Sequence, residues 1–159
     1  MKLKPATTLY RVQAGIKKLA PDIRIRTVWE EDPNYRWDFG DPDPAEEGYV
    51  AHDVTVSVTV EMPNGIEVVG EDHLGGSYEK PGVEDPLVHG YYYGMLSDAL
   101  RELYGKLTGR KFAVSRKDWD PTGPTTSESD RSRQVGDAIM FLESSMKAMY
   151  LLEQRRGRR

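Results

Sequence analysis

Apolar residues between positions 7 and 20 recur every three or four places, at Leu9, Val12, Ile16 and Leu19. That spacing predicts a first helix, with Thr7 or Thr8 as N-cap. Pro21 stops it, because proline disfavours helical geometry in the residue before it. The period then falls to two. Ile23, Ile25 and Thr27 lie on one side, with Arg24, Arg26 and Val28 on the other, which predicts a strand. The cleanest alternation follows, with Val54, Val56, Val58 and Val60 set against Asp53, Thr55, Ser57, Thr59 and Glu61. Pro63-Asn64-Gly65 then fits a tight hairpin turn, since asparagine and glycine tolerate the positive φ such turns demand, and Ile66, Val68 and Val69 continue on the return strand.

Helical spacing returns after residue 90. Tyr92 or Tyr93, Leu96, Leu100, Leu103 and Leu107 form a stripe, Glu102 and Lys106 an i,i+4 pair, and Gly109 a C-terminal stop. A long amphipathic helix over 129–155 rests on Val135, Ile139, Leu142, Met146 and Met149. Between these elements, 30–48 is rich in proline, glycine and acid. Its alternating Tyr35, Trp37 and Phe39 form either a short edge strand or aromatic pins holding a loop to the core. Residues 75–90 read as a second loop, KFAVSRKDW as a further short strand, 120–128 as a linker and 156–159 as a basic tail. The expected fold is α+β. It has an antiparallel sheet of three to four strands packed by helices in α-β-β-β-α order, within a core domain of residues 1–119, followed by the C-terminal helix.

Composition narrows the chemistry. The chain has no cysteine, which excludes disulfides, thiolate metal sites and cysteine nucleophiles. It shows neither a secretory leader pattern nor an apolar run long enough to span a bilayer, so a cytoplasmic protein is expected. Net charge is −4, yet the signs are segregated. Acidic residues dominate 30–53, where Arg36 is the one Lys or Arg; over 101–117 the balance reverses, with Glu102 the one acid. A positive patch on an acidic protein is therefore possible.

Catalytic patterns are weak. His52 and Asp53, then Glu71, Asp72 and His73, are sequence neighbours on alternating strands, so adjacent side chains face opposite ways. His89 stands before a glycine at a helix entrance. No nucleophile elbow, phosphate-cradling loop or zinc spacing is present, and a non-enzymatic protein without cofactor or metal is expected. Binding to a single-stranded nucleic acid needs spaced cations for phosphates and π-faces for bases. Arg101, Lys106, Arg110, Lys111, Arg116 and Lys117 are the candidate cations, with Tyr91 and Tyr92 the candidate stacking faces.

The hairpin ending in Glu71, Asp72 and Gly75, followed by Ser97-Asp98-Ala99-Leu100-Arg101 and then Gly109-Arg110, resembles the single-strand annealing recombinases. That superfamily comprises the Rad-fifty-two-like mediators and the phage annealing proteins. Likeness of layout runs over about residues 7–119, and of residue identity over 66–75 and 97–110. Glu102 stands where the family carries a second basic residue, and the acidic insertion also departs from its pattern. The resemblance implies a non-catalytic protein of DNA recombination and strand annealing. It would form homo-oligomeric rings or arcs and hold single-stranded DNA in a basic groove, phosphates inward and bases exposed. A double-stranded-RNA-binding domain shares the element order, but YYYGMLSD occupies the place of its basic helix start. The alternative is a non-enzymatic oligomeric interaction or assembly protein, such as a small virion, adaptor or inhibitor component. It would bind protein partners through 30–53 or the C-terminal helix.

Overall fold

The computed structural model describes residues 5–40, 42–80, 91–112 and 127–157. Helix α1 (Pro5–Leu19) leads into strand β1 (Arg24–Glu31), and strands β2 (Val50–Glu61) and β3 (Glu67–Glu79) form a hairpin. Helices α2 (Tyr91–Thr108) and α3 (Ser127–Gly157) complete the chain. Among the described residues the sheet has three strands, antiparallel throughout, in the order β1-β2-β3. The α+β architecture expected from the periodicity is the one observed. The further strand expected over KFAVSRKDW begins at Lys111 and Phe112, which are not strand, and the rest of it lies outside the described residues.

The alternation of β2 decides which way the sheet faces. Val54, Val56, Val58 and Val60 are buried, and they meet Trp29, Thr27, Ile25 on β1 and Leu74, Asp72, Gly70, Val68 on β3 in register. Helices cover this side. Tyr92, Leu96, Leu100 and Leu103 of α2 and Val135, Ile139 and Leu142 of α3 join the valines in one core. The opposite side carries Arg24, Arg26, Thr55, Ser57, Thr59, Glu71 and His73, polar residues that leave the middle of the sheet exposed or half-buried. A sheet with one apolar and one polar face is what strict alternation dictates.

Three close approaches fix the packing. Gly70 lies directly beneath α2, where an added Cβ would sit 2.6 Å from Leu103 N and closer still to the Ala99 carbonyl oxygen. Gly15 admits the Phe141 ring of α3 against α1. Arg131 of α3 pairs with Asp22 in the turn after α1. The first helix buries Val12 and Ile16, and Ala20 just past its end is buried too, whereas Leu19, expected on its core stripe, is 39% exposed. A stripe of i, i+4, i+8 ending at Ala20 replaces it, because the chain turns there: Ala20 N–H still bonds the Ile16 carbonyl, and Ile23 N–H bonds Ala20.

The hairpin turn is the tight connection expected, and it uses one of the two residues that tolerate positive φ. Gly65 alone takes positive φ (83°); Asn64 does not, and its side-chain oxygen instead accepts the Ile66 N–H at 3.0 Å. The Gly65 N–H bonds Met62 O, so Pro63 to Gly65 form a three-residue loop with glycine in the left-handed position. At the far end of the hairpin the register shifts between His52 and Val54, setting Gly75 and Gly76 opposite Asp53.

The described residues between 32 and 49 form no edge strand. They fold as a loop with a 3-10 turn over Pro44–Glu47, capped by the Asp43 carboxylate and ended by Gly48 at φ 86°. Aromatic pins hold it. Tyr35 packs edge-on to Tyr78 (5.8 Å) and over Gly76, and Trp37 meets Tyr78 at 5.6 Å. Of the two readings of its aromatics, pinning is the one observed. No described helix is long and apolar enough to cross a membrane.

Candidate nucleic-acid interface

Helix α2 carries most of the candidate residues, and its packing sorts them. Tyr92 is 0% exposed, and its hydroxyl accepts a hydrogen bond from Gln13 Nε2 at 2.8 Å. Its ring is core and presents no face for a base. Tyr93 packs edge-on to it at 5.9 Å and is buried as well, which pushes its phenol above the usual range through burial first and its neighbour second. The Tyr91 side chain lies outside what the structure describes, as do Arg116 and Lys117.

Arg101 is anchored within the protein. Its guanidinium pairs with Glu143 of α3, donates to the Phe112 carbonyl at 3.4 Å and lies over the Phe112 ring at 5.5 Å. Nε reaches Ser97 Oγ at 3.4 Å, one turn back. A cation held by a carboxylate, a carbonyl and a ring ties α2 to α3 and to the segment beyond Gly109.

Lys106 and Glu102 also have structural work. The Met62 N–H to Ile66 O bond sets the hairpin phase, so odd-numbered residues of β3 direct their backbone groups away from β2. Two of these outward groups are met by α2: Lys106 Nζ donates to Val69 O at 2.6 Å, and Glu102 Oε2 accepts from Glu71 N at 3.3 Å. The two side chains pair with each other at 3.0 Å. Together they cap the outer edge of β3. Glu102 thus serves as the acceptor for a strand N–H.

Arg110 and Lys111 remain. Both are exposed just past the end of α2 and form no ion pair with a described residue. Gly109 turns the chain there at φ 69°, its N–H bonding Gly105 O, while Thr108 Oγ1 accepts the Arg110 N–H at 3.1 Å. The helix stop is thus fixed by backbone and side-chain hydrogen bonds, and it presents two adjacent cations. Of the four described candidate cations, two are bound into the protein and two face solvent.

The chain matches no family model, no curated protein and no solved structure.

The remaining candidate chemistry is dispersed. His52 is buried against Trp29 (4.2 Å between centroids), and neither His52 Nδ1 nor Trp29 Nε1 has a hydrogen-bond partner among the described residues. His73 lies on the open face, its Nδ1 3.0 Å from Thr55 Oγ1, while Asp72 turns to the helical side opposite Val56. The described residues contain no cluster of three His, Asp or Glu able to hold a metal. His89 lies outside the described residues. The acidic loop is joined to the sheet by Tyr78, whose hydroxyl donates to Asp43 at 3.3 Å; partial burial, then the Asp43 carboxylate, raise the phenol's pKa. What the sequence reading passed over is the pair Arg24 and Arg26 on the open face, where Arg24 reaches across β2 to Glu67 on β3. Its signal was present in the alternation of residues 23–28, which sets the arginines opposite the isoleucines.

Proposed function

We propose that the protein is a non-catalytic single-stranded nucleic-acid-binding and annealing protein whose backbone contacts centre on Arg110 and Lys111. The observation that carries the reading is this exposed pair at the glycine-ended helix terminus, without an ion-pair partner among the described residues, in a chain stretch where Arg116 and Lys117 follow closely in sequence. The resemblance of Ser97–Arg101 and Gly109-Arg110 to the annealing recombinases agrees with it, as does the α-β-β-β-α order. Binding of this kind rests on counterion release and needs no bond-making residue. Arg101 and Lys106 serve it indirectly, by fixing the helix that presents the pair.

The test is a mobility shift of a single-stranded oligonucleotide across a salt series. Alanine at both Arg110 and Lys111 should weaken binding at low salt and flatten the logarithmic salt slope by about 1.4, the loss expected for two phosphate contacts on a single strand. Absence of a shift for the wild type at low salt, or an unchanged slope in the variant, refutes the reading.

A second reading has its own observation. The pinned acidic loop leaves Phe39 67% exposed beside Asp38, and α3 leaves Leu151 49% exposed. Apolar side chains held out of the core on ordered elements suit a protein partner. Retention of partner binding by the Arg110 and Lys111 variant, and its loss on Phe39→Ser, would favour that reading.

A further inference from the structure

The two outer edges of the sheet are treated differently. On β3 the outward backbone groups of Val69 and Glu71 are met by Lys106 and Glu102, and the Gly75-Gly76 bulge disrupts the strand further along. These are recognised ways of stopping a sheet from growing. Among the described residues, strand β1 has neither. Its eight residues pair with β2 without a register shift, and they contain no proline or glycine. The Asp32 N–H bonds Ala51 O, so even-numbered positions bond β2 and the N–H and C=O groups of Ile25, Thr27, Trp29 and Glu31 point outward. No backbone group of a described residue meets them.

Charge along β1 is polarised: Arg24 and Arg26 open it, Glu30 and Glu31 close it. In a parallel pairing like charges would stack. In an antiparallel pairing of β1 with itself, opposite charges meet. A two-fold axis perpendicular to the sheet keeps polar face beside polar face, so only residues of equal parity can oppose. Centred on Thr27, this sets Arg24, which also pairs with Glu67 of its own chain, opposite Glu30 of the second copy, with Arg26 opposite Val28 and diagonal to both the second copy's Glu30 and its Arg26. Ile25 lies opposite Trp29. Ile25 and Trp29 are apolar, half-buried and packed at the margin of the core, as such a pairing requires.

We infer that β1 is a self-recognition edge, through which two copies of this chain join antiparallel to make one continuous six-stranded sheet. The contact is isologous and closes at the dimer. It does not rest on the nucleic-acid reading, and its test contains no nucleic acid.

The test is solution mass by light scattering. The wild type is expected at twice 18.0 kDa at high concentration. Glu30→Arg alone should be monomeric, because arginines then face arginines; Arg24→Glu with Arg26→Glu should be monomeric for the converse reason. Mixed in equal amounts, the two variants should regain the dimer mass, since each supplies the charge the other lacks. A monomeric wild type, variants that stay dimeric, or folded variants that stay monomeric when mixed would overturn the inference. Hydrogen exchange on the wild type covers the case of a variant that fails to fold. The amides of Ile25, Thr27 and Trp29 should gain protection as concentration rises, and equal exchange at all concentrations would overturn it.

Discussion

Replacing Gly70 by alanine tests the packing that positions the candidate interface. The added Cβ would sit 2.6 Å from Leu103 N and 2.8 Å from Leu103 Cβ, and nearer still to the Ala99 carbonyl oxygen. Two of these three atoms are helix backbone, so no side chain can rotate out of the way and α2 itself must move. Overpacking of this kind costs about 1–3 kcal/mol, and a backbone obstacle places it at about 3. Removing a strand glycine returns about 0.5–1 kcal/mol of chain entropy. The net loss is about 2 kcal/mol, or about 4–8 °C in Tm for a chain of this size. Gly94 is the internal control: it lies in α2, with no atom of a described residue within 4 Å of an added Cβ. Gly94→Ala should raise Tm by about 1–4 °C through helix propensity. Thermal unfolding followed by circular dichroism reads both. A Gly70→Ala protein melting within about 1 °C of wild type would refute the claim that α2 lies on that glycine.

Arg101→Ala should lose the half-exposed Glu143 pair and the Phe112 stack, lowering stability by about 1–2 kcal/mol in urea unfolding. Its mobility-shift salt slope should not change. Gly76→Ala forces alanine into φ 70° at about 1–2 kcal/mol and puts a methyl 2.5 Å from the Tyr35 hydroxyl. The expected readout is faster proteolytic nicking within 32–49. Burial raises the Tyr93 pKa above 10.0, so the protonated phenol is favoured in the folded state. That contribution is present below the unfolded value and is lost as pH rises through the folded one. Stability should therefore fall above about pH 10, and Tyr93→Phe should flatten the fall.

What the sequence made legible was whatever rests on local period. Alternation in β2 placed four valines inward, the α2 stripe placed its leucines, and Gly109 marked the helix stop. The candidate interface was less legible because charge in a sequence carries no partner. Arg101 and Arg110 look alike in the string, yet Glu143, 42 positions beyond Arg101, anchors one and leaves the other in solvent. Lys106 and Glu102 read as a helix-surface pair, and their capping of β3 depends on the phase of a hairpin hydrogen bond. Leu19 was misplaced because the helix ends within one residue of it, where a small rotation exchanges Leu19 for Ala20.

The two proposals occupy opposite edges of the sheet, and that separation has a consequence. Helix α2 lies along β3 and caps its edge, so growth of the sheet is left to β1. A two-fold axis perpendicular to the sheet keeps both copies of α2 on the same side. A dimer then offers two Arg110-Lys111 ends to one long strand, while a short oligonucleotide engages one. Linking two weak sites in this way raises apparent affinity by about a hundredfold or more when the ligand spans both. Glu30→Arg should therefore weaken binding to a long single strand and leave binding to a short oligonucleotide unchanged. Alanine at Arg110 and Lys111 should weaken both. Equal effects of Glu30→Arg on short and long strands would show that the β1 edge acts on the binding site itself, and would refute the separation of assembly from binding.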